Sequence, residues 1–329
     1  MVKTEKGLLV NKSHGNARHQ HGNQVVRYDF ASPHLRGPVH SGHVRVLVLG
    51  DSFTFGWLLS NEHNYVNLLQ QKINSEFGAG TITLLNAAVN GWGTGDYVAF
   101  AEDFGSEIKP DIILVFLNTD DIGRALTSPL WSFDHNKVLA RTVPPKTPRS
   151  KLKQVLNNVP GYQWVLERSH LMQLARATVL GSRPINPEDG SPPPDVMTDG
   201  FYTYLDAETT RVATALGASL FSRLHLWCKE HDVYLVVATT GWHQPPYTES
   251  ETTSAFMVGA NALFNDLGIP FSDPSSQLWA RRKNSGKTFF FPEDWHPNEE
   301  GAALIAEYAF PFLKSQLGNY CSQTNRCMR

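Results

Sequence analysis

Four short stretches of this chain carry groups that can do chemistry. Gly50-Asp51-Ser52 places a hydroxyl immediately after an apolar run, and Asn90-Gly91-Trp92-Gly93-Thr94-Gly95 alternates glycines that expose backbone N–H groups. Leu117-Asn118-Thr119-Asp120-Asp121 brings a carboxamide and two carboxylates. Glu293-Asp294-Trp295-His296-Pro297 sets an imidazole two residues after one acid and three after another. A serine next to an imidazole that is held by a carboxylate can attack an acyl carbonyl. Amide donors beside it can hold the oxyanion that forms.

Each stretch taken singly has a plainer reading. A serine at a tight turn more often caps the following helix or stabilises the turn. The glycines can be an ordinary loop; they lack the G-x-G-x-x-G spacing of a dinucleotide fingerprint. Asp120 and Asp121 more often cap a helix or brace a loop than serve as an acid–base pair. The combination is what points to acyl transfer, because nucleophile, base, orienting acid and oxyanion donors all occur.

These groups need a scaffold that brings them together, and the hydropathy pattern supplies one. VRVLVLG (44–50), TITLLNAAV (81–89), DIILVFLN (111–118) and VYLVVATT (233–240) are short apolar runs of the kind found in strands buried on both faces, and IPFSDPS (269–275) can add a short fifth. Helical spacing follows Ser60, Thr94 and residue 206, then recurs over 251–267 and about 297–317, where Pro311 should kink or break the helix. Strands alternating with helices predict a doubly wound α/β sheet with parallel strands, in which function gathers at the carboxyl ends. The four chemical stretches lie at or after such ends.

Two regions fall outside this rhythm. Residues 1–43 are polar and rich in histidine, and read as an arm or hairpin against a main domain of residues 44–329. His19-Gln-His21 could place two imidazoles on one side of a strand, but cysteine or carboxylate ligands at metal spacing are missing nearby, so a metal site is disfavoured. Residues 124–205 leave the third strand's carboxyl end and read as a cap-like insertion, with a Pro-rich piece as linker or wall.

Bulk composition narrows the partners. The 329 residues are 41% hydrophobic and 18% charged with a net charge of −2. That balance lacks the basic face that nucleic acid or an anionic membrane calls for. The sequence has no apolar run long enough to span a bilayer, and its first residues show no signal-peptide h-region, which slightly favours a cytoplasmic location. Cys321 and Cys327 read as free surface thiols with pairing as the second option, and Cys228 as a small buried hydrophobe.

The four stretches resemble the conserved blocks of the SGNH (GDSL) hydrolase superfamily, in the family's order and spanning residue 46 to about 312. Gly50-Asp51-Ser52 is similar to block one, Gly91 to the block-two glycine, Asn118 to the block-three asparagine and His296 to the block-five histidine. The resemblance implies a flavodoxin-like α/β/α sandwich with five parallel strands, serine-dependent hydrolysis or transfer of acyl esters, and no metal or organic cofactor. It implies Ser52 as nucleophile and His296 as base, with Ser52 N–H, Gly91 N–H and the Asn118 side chain as the oxyanion hole. Many members place the orienting Asp three residues before the histidine, where this chain has Glu293. Asp294 matches the D-x-H spacing of a branch that includes O-acetyltransferases, and is preferred here for its shorter side chain.

The expected activity is therefore hydrolysis of acyl esters, O-acetyl or another short chain, on a carbohydrate or small metabolite. An O-acyltransferase with the same triad is the alternative, ahead of a thioesterase or lipase. Trp57, Trp92, Trp242 and Trp295 near strand ends suggest flat walls for a sugar or acyl chain, although tryptophan serves equally in a core. Asp51, Trp92, His243 and Trp295 are the candidate substrate contacts.

Overall fold

The computed structural model describes residues 1–21, 24–39, 41–118, 120–128, 130–133, 139–142, 207–241, 255–291 and 294–327. In chain order the strands begin with β1 (Val2–Lys3), β2 (Leu9–Val10), β3 (Gly15–His21), β4 (Gln24–Ala31) and β5 (Leu35–Arg36). Next come β6 (Val44–Leu49), α1 (Ser52–Phe55), α2 (Tyr65–Phe77), β7 (Ile82–Asn86), α3 (Thr94–Ile108) and β8 (Ile112–Leu117). Then follow α4 (Asp120–Thr127), β9 (Trp131–Phe133), β10 (Leu139–Arg141), α5 (Ala207–Glu230), β11 (Tyr234–Thr239), α6 (Ala255–Leu267) and β12 (Phe271–Ser272). The described part closes with α7 (Ser275–Ser285), β13 (Phe290–Phe291), β14 (Asp294–Pro297) and α8 (Glu299–Thr324).

Five strands form the central sheet in the order β7-β6-β8-β11-β12, all parallel. Numbered by sequence this is 2-1-3-4-5, the flavodoxin-like order, in which the direction of winding reverses between the first and third strands. All five apolar runs that the sequence marks as strands are strands, each within the expected range.

The apolar runs work because successive side chains enter opposite layers. Leu47, Leu49, Ile113, Val115, Leu117, Leu235 and Val237 point into one core with Tyr97 and Phe100 of α3 and Leu220 and Leu224 of α5. Val46, Val48, Ile112, Leu114, Phe116 and Val236 enter the other with Leu69 and Ile73 of α2 and Ile305 and Leu313 of α8. Both faces of the sheet are thus covered, giving three layers.

Several local expectations shift. Helix α2 starts one turn later than Ser60, because Asn64 is its cap and accepts from Val66 N–H at 2.7 Å. Helix α8 passes through Pro311 instead of ending near 317. Burial of Leu313, Leu317 and Tyr320 beyond the proline holds the later turns in place. Cys321 and Cys327 are joined as a disulfide, not free, since the end of α8 and the turn after it bring the pair together. Helix α7 escaped the sequence pattern because, of its residues, the buried ones are Ser275 and Leu278, too sparse for a stripe.

The segment after β8 also begins inside the main core. Ala125, Leu130 and Trp131 are buried there, and Trp131 Nε1 donates to Gly95 O at 2.7 Å. Most of the remainder of 124–205, where a cap was expected, lies outside the described residues. Among the described residues no helix is long and apolar enough to cross a membrane.

Residues 1–43 fold onto the main body. β3 and β4 form an antiparallel hairpin and β5 adds to β4. Leu8, Val10 and Leu35 are buried in the core beside Trp92, and Asn11 Nδ2 donates to Ala88 O at 3.0 Å. Burying such side chains stabilises by about 1.5–3 kcal/mol each. Removing residues 1–38 should therefore lower Tm by roughly 10 °C or more in differential scanning calorimetry. A truncated chain that melts with the full-length one would contradict this packing.

Candidate active site

The winding reversal places the carboxyl ends of β6 and β8 side by side, and a crevice at such a point is where open α/β sheets bind ligands. Ser52 follows β6 and Asn118 follows β8. Leu49 of β6 pairs with Val115 of β8, so the two ends leave the sheet at nearly the same level.

Ser52 opens the single turn of α1 and is 9% exposed. Asp51 caps that turn by accepting from Phe53 N–H at 2.9 Å. The turn is too tight for any side chain at residue 50: a Cβ on Gly50 would sit 2.1 Å from Thr54 Oγ1. Further bonds fix it from outside. Tyr65 OH donates to Thr54 Oγ1 at 2.7 Å, and the amides of Asn64 and Asn86 both donate to Thr54 O.

Gly91 has φ +79° and open space where a Cβ would stand. Its loop is tied to the serine turn, since Val89 N–H donates to Gly50 O at 3.3 Å. Asn118 is buried, and its amide donates to Asp51 Oδ2 at 3.4 Å. Asn118 N–H donates to Asp121 Oδ2 at 2.6 Å, and Tyr97 OH donates to the same oxygen at 2.7 Å. Ser52, Gly91 and Asn118 are therefore brought to one edge of the sheet by bonds between their loops.

His296 arrives from the opposite end of the sequence on β14, which pairs with β13. Its Nδ1 hydrogen-bonds to Asp294 Oδ1, and its backbone N–H donates to the same oxygen at 2.9 Å. Asp294 Oδ2 accepts from Trp57 Nε1 at 3.2 Å. The His296 ring lies 5.3 Å from the ring of Phe53, the residue after Ser52, and 6.0 Å from Trp57. Glu293, the other acid weighed for this pairing, lies outside the described residues. An imidazole bonded to a carboxylate through Nδ1 presents Nε2 as the atom that can take a proton.

Electrostatics differ on the two sides. Burial pushes the Asp294 carboxyl up, but the His296 ring, its charge and backbone N–H, and the Trp57 indole together outweigh burial and hold it below its ordinary value. Around Asn118 the balance reverses. Burial, then the neighbouring Asp51 carboxylate, push Asp121 well above the usual carboxylate range, against Arg124, Asn118 N–H and Tyr97.

The expected substrate contacts divide. Asp51 is fully buried and committed to Phe53, Asn118 and Arg124, so it holds the turn and has no face for substrate. Trp92 is 1% exposed with Nε1 donating to Leu9 O at 2.7 Å; it is a core residue, because the N-terminal segment covers it. His243 and Trp242 lie outside the described residues, and for Trp295 the description extends to its backbone in β14.

Four further residues stand at the site with partners that the sequence did not show. Trp57 supports Asp294, and the hairpin brings His19 to 4.3 Å from the Trp57 ring and His21 Nε2 to 3.9 Å from Asp294 Oδ2. The i, i+2 spacing of the two histidines was visible, but their partner Asp294, 273 residues beyond His21, was not. Among the described residues no group of three or more His, Cys, Asp or Glu is arranged to hold a metal. Arg124 is the fourth, i+3 from Asp121 on α4 and bonded to it at 3.1 Å.

The family model for GDSL-like lipases and acylhydrolases matches residues 48–304. No curated protein matches the chain by sequence. Similar solved structures include the psychrotrophic esterase EstA from Pseudoalteromonas sp., 13% identical over 83% of this chain and 98% of that one, with a TM-score of 0.45. TesA is 14% identical over 82% of this chain and 98% of its own, with a TM-score of 0.45. Axe2, an acetylxylan esterase from Geobacillus stearothermophilus, is 12% identical over 83% and 94%, with a TM-score of 0.46. The family match covers most of the chain and every strand end described above, so the chain belongs to the GDSL-like lipase/acylhydrolase family and is a serine ester hydrolase.

Proposed function

We propose that this hydrolase cleaves O-acetyl or other short-chain acyl esters of a carbohydrate or small metabolite through an acyl-enzyme on Ser52. The observation that carries the reading is the Asp294–His296 bond set beside the α1 turn that Ser52 opens. In this reading His296 Nε2 takes the Ser52 proton as Oγ attacks the ester carbonyl. Ser52 N–H, Gly91 N–H and the Asn118 amide receive the oxyanion. The C–O bond to the alcohol then breaks, and the alcohol leaves with the proton from His296. Water, deprotonated by the same imidazole, attacks the acyl-enzyme; the acid is released and Ser52 Oγ recovers its proton.

Asp294 holds the imidazole in the tautomer this sequence needs and stabilises the imidazolium. A carbohydrate is supported by Trp57, a half-buried indole beside His296, since aromatic rings suit sugar rings.

Ser52→Ala should lower kcat on p-nitrophenyl acetate by about 10³-fold or more with the melting temperature nearly unchanged. Wild-type turnover by that variant would sink the proposal. A panel of acetylated sugars and longer acyl esters, with Ser52→Ala as blank, then ranks the substrates; a preference for long acyl chains would overturn the short-chain reading.

A second expectation concerns pH. Because the Asp294 carboxyl is depressed in the folded chain, the unfolded chain binds more protons through the window between the two values. Its contribution to stability is complete above the ordinary range of about 3.9 and is lost as pH falls through the lower folded value. The Tm advantage of the wild type over Asp294→Asn should be full near neutrality and shrink on acidification. An advantage that stays constant down to about pH 3 would contradict the Asp294–His296 pairing.

A further inference from the structure

Arg124 bonds directly to two of the loops that carry the oxyanion donors and reaches the third through Asp121. Its Nη1 donates to Asp51 Oδ2 at 2.9 Å, one residue before Ser52. The same nitrogen donates to Trp92 O at 3.1 Å, one residue after Gly91, and to Asp121 Oδ1 at 3.1 Å. Asp121 in turn accepts from the Asn118 backbone N–H through its other oxygen. The circuit closes through the Asn118 amide on Asp51 Oδ2.

The chemistry of this circuit is demanding. The side chains of Asp51 and Asp121 are both fully enclosed, while that of Arg124 is 27% exposed. The two enclosed carboxyls share one guanidinium nitrogen, and charge-assisted bonds to a guanidinium are among the strongest available. Close packing keeps the third loop in reach: a Cβ on Gly93 would stand 2.5 Å from Asp121 O and 2.8 Å from Arg124 Cβ. Helix α4 therefore lies directly on the Gly91 loop.

We infer that Arg124 is a positioning residue that locks the Ser52, Gly91 and Asn118 loops into one rigid oxyanion hole. The inference rests on the hydrolase reading above. Donors in such a hole act only when held to within about half an ångström of the developing charge. The base is oriented from a separate hairpin, where Asp294 of β14 holds His296, and Trp57 Nε1 supports Asp294 from just beyond the α1 turn. Loss of Arg124 should therefore weaken transition-state binding without altering the titration of the base.

The test compares Arg124→Met and Arg124→Lys with wild type on p-nitrophenyl acetate, with circular dichroism to confirm folding. For Arg124→Met we expect kcat to fall about 10–100-fold, KM to change less than about threefold, and the acid midpoint of kcat/KM to stay in place. Arg124→Lys, which keeps the cation but not the planar fork, should recover part of the loss. A folded Arg124→Met with kcat within about twofold of wild type would overturn the inference, as would a loss carried entirely by KM. If Arg124→Met does not fold, Arg124→Lys decides by the same split: reduced kcat with unchanged KM supports the lock, and unchanged kcat refutes it. Ser52→Ala run alongside separates the two failures. Turnover by that variant would remove the hydrolase reading and the lock with it, whereas an inactive Ser52→Ala with a fully active Arg124→Met removes the lock alone.

Discussion

The Val44–Leu49 strand pairs with Ile82–Asn86 on one edge and with Ile112–Leu117 on the other, all three parallel. Parallel pairing sends the three carboxyl ends the same way, and the flanking helices bury both faces of the sheet. Polar groups are thus driven off the faces and onto that one edge. Ser52, Gly91 and Asn118 belong to three consecutive strand ends and meet there although 66 residues of sequence separate the first from the last. The backbone bond from Val89 N–H to Gly50 O continues the strand pairing past the sheet and into the site.

Two separate electrostatic devices serve this edge. On the base side an ionised carboxylate, Asp294, is held by His296, its own chain's N–H and the Trp57 indole. On the donor side Asp121 is pushed toward its neutral form by burial and by Asp51, while Arg124 balances the pair. In the proposed mechanism the carboxylate kept charged serves proton transfer, and the one driven toward neutrality serves rigidity. The N-terminal segment reinforces both sides. It covers Trp92, and Tyr28 OH accepts from Leu58 N–H just beyond the serine turn.

What could be read from sequence was whatever local pattern determines. Continuous apolar runs specified the five strands, and strand-end chemistry picked out Ser52, Gly91, Asn118 and His296. Pattern failed where a residue's role depends on partners far along the chain. Arg124 looks like the start of an insertion until Asp51 and Trp92 O are seen around it, and His21 looks like a stray imidazole until Asp294 stands opposite. Trp92 fits a substrate wall and a core equally well by type, and Leu8, Val10 and Leu35 decide in favour of the core. Of the kink or break expected at Pro311, the break does not occur, because burial of residues beyond it retains the later turns. Local propensity lost to tertiary packing in each of these cases.

The account turns on Ser52 Oγ being the activated nucleophile at this edge. Intact-protein and peptide mass spectrometry after treatment with a fluorophosphonate tests that most directly, because the reagent couples to an activated serine hydroxyl and marks it covalently. The account predicts one adduct per chain, on the peptide containing Ser52, and none in Ser52→Ala. An adduct on another residue, or an unlabelled chain that still hydrolyses p-nitrophenyl acetate, would contradict it.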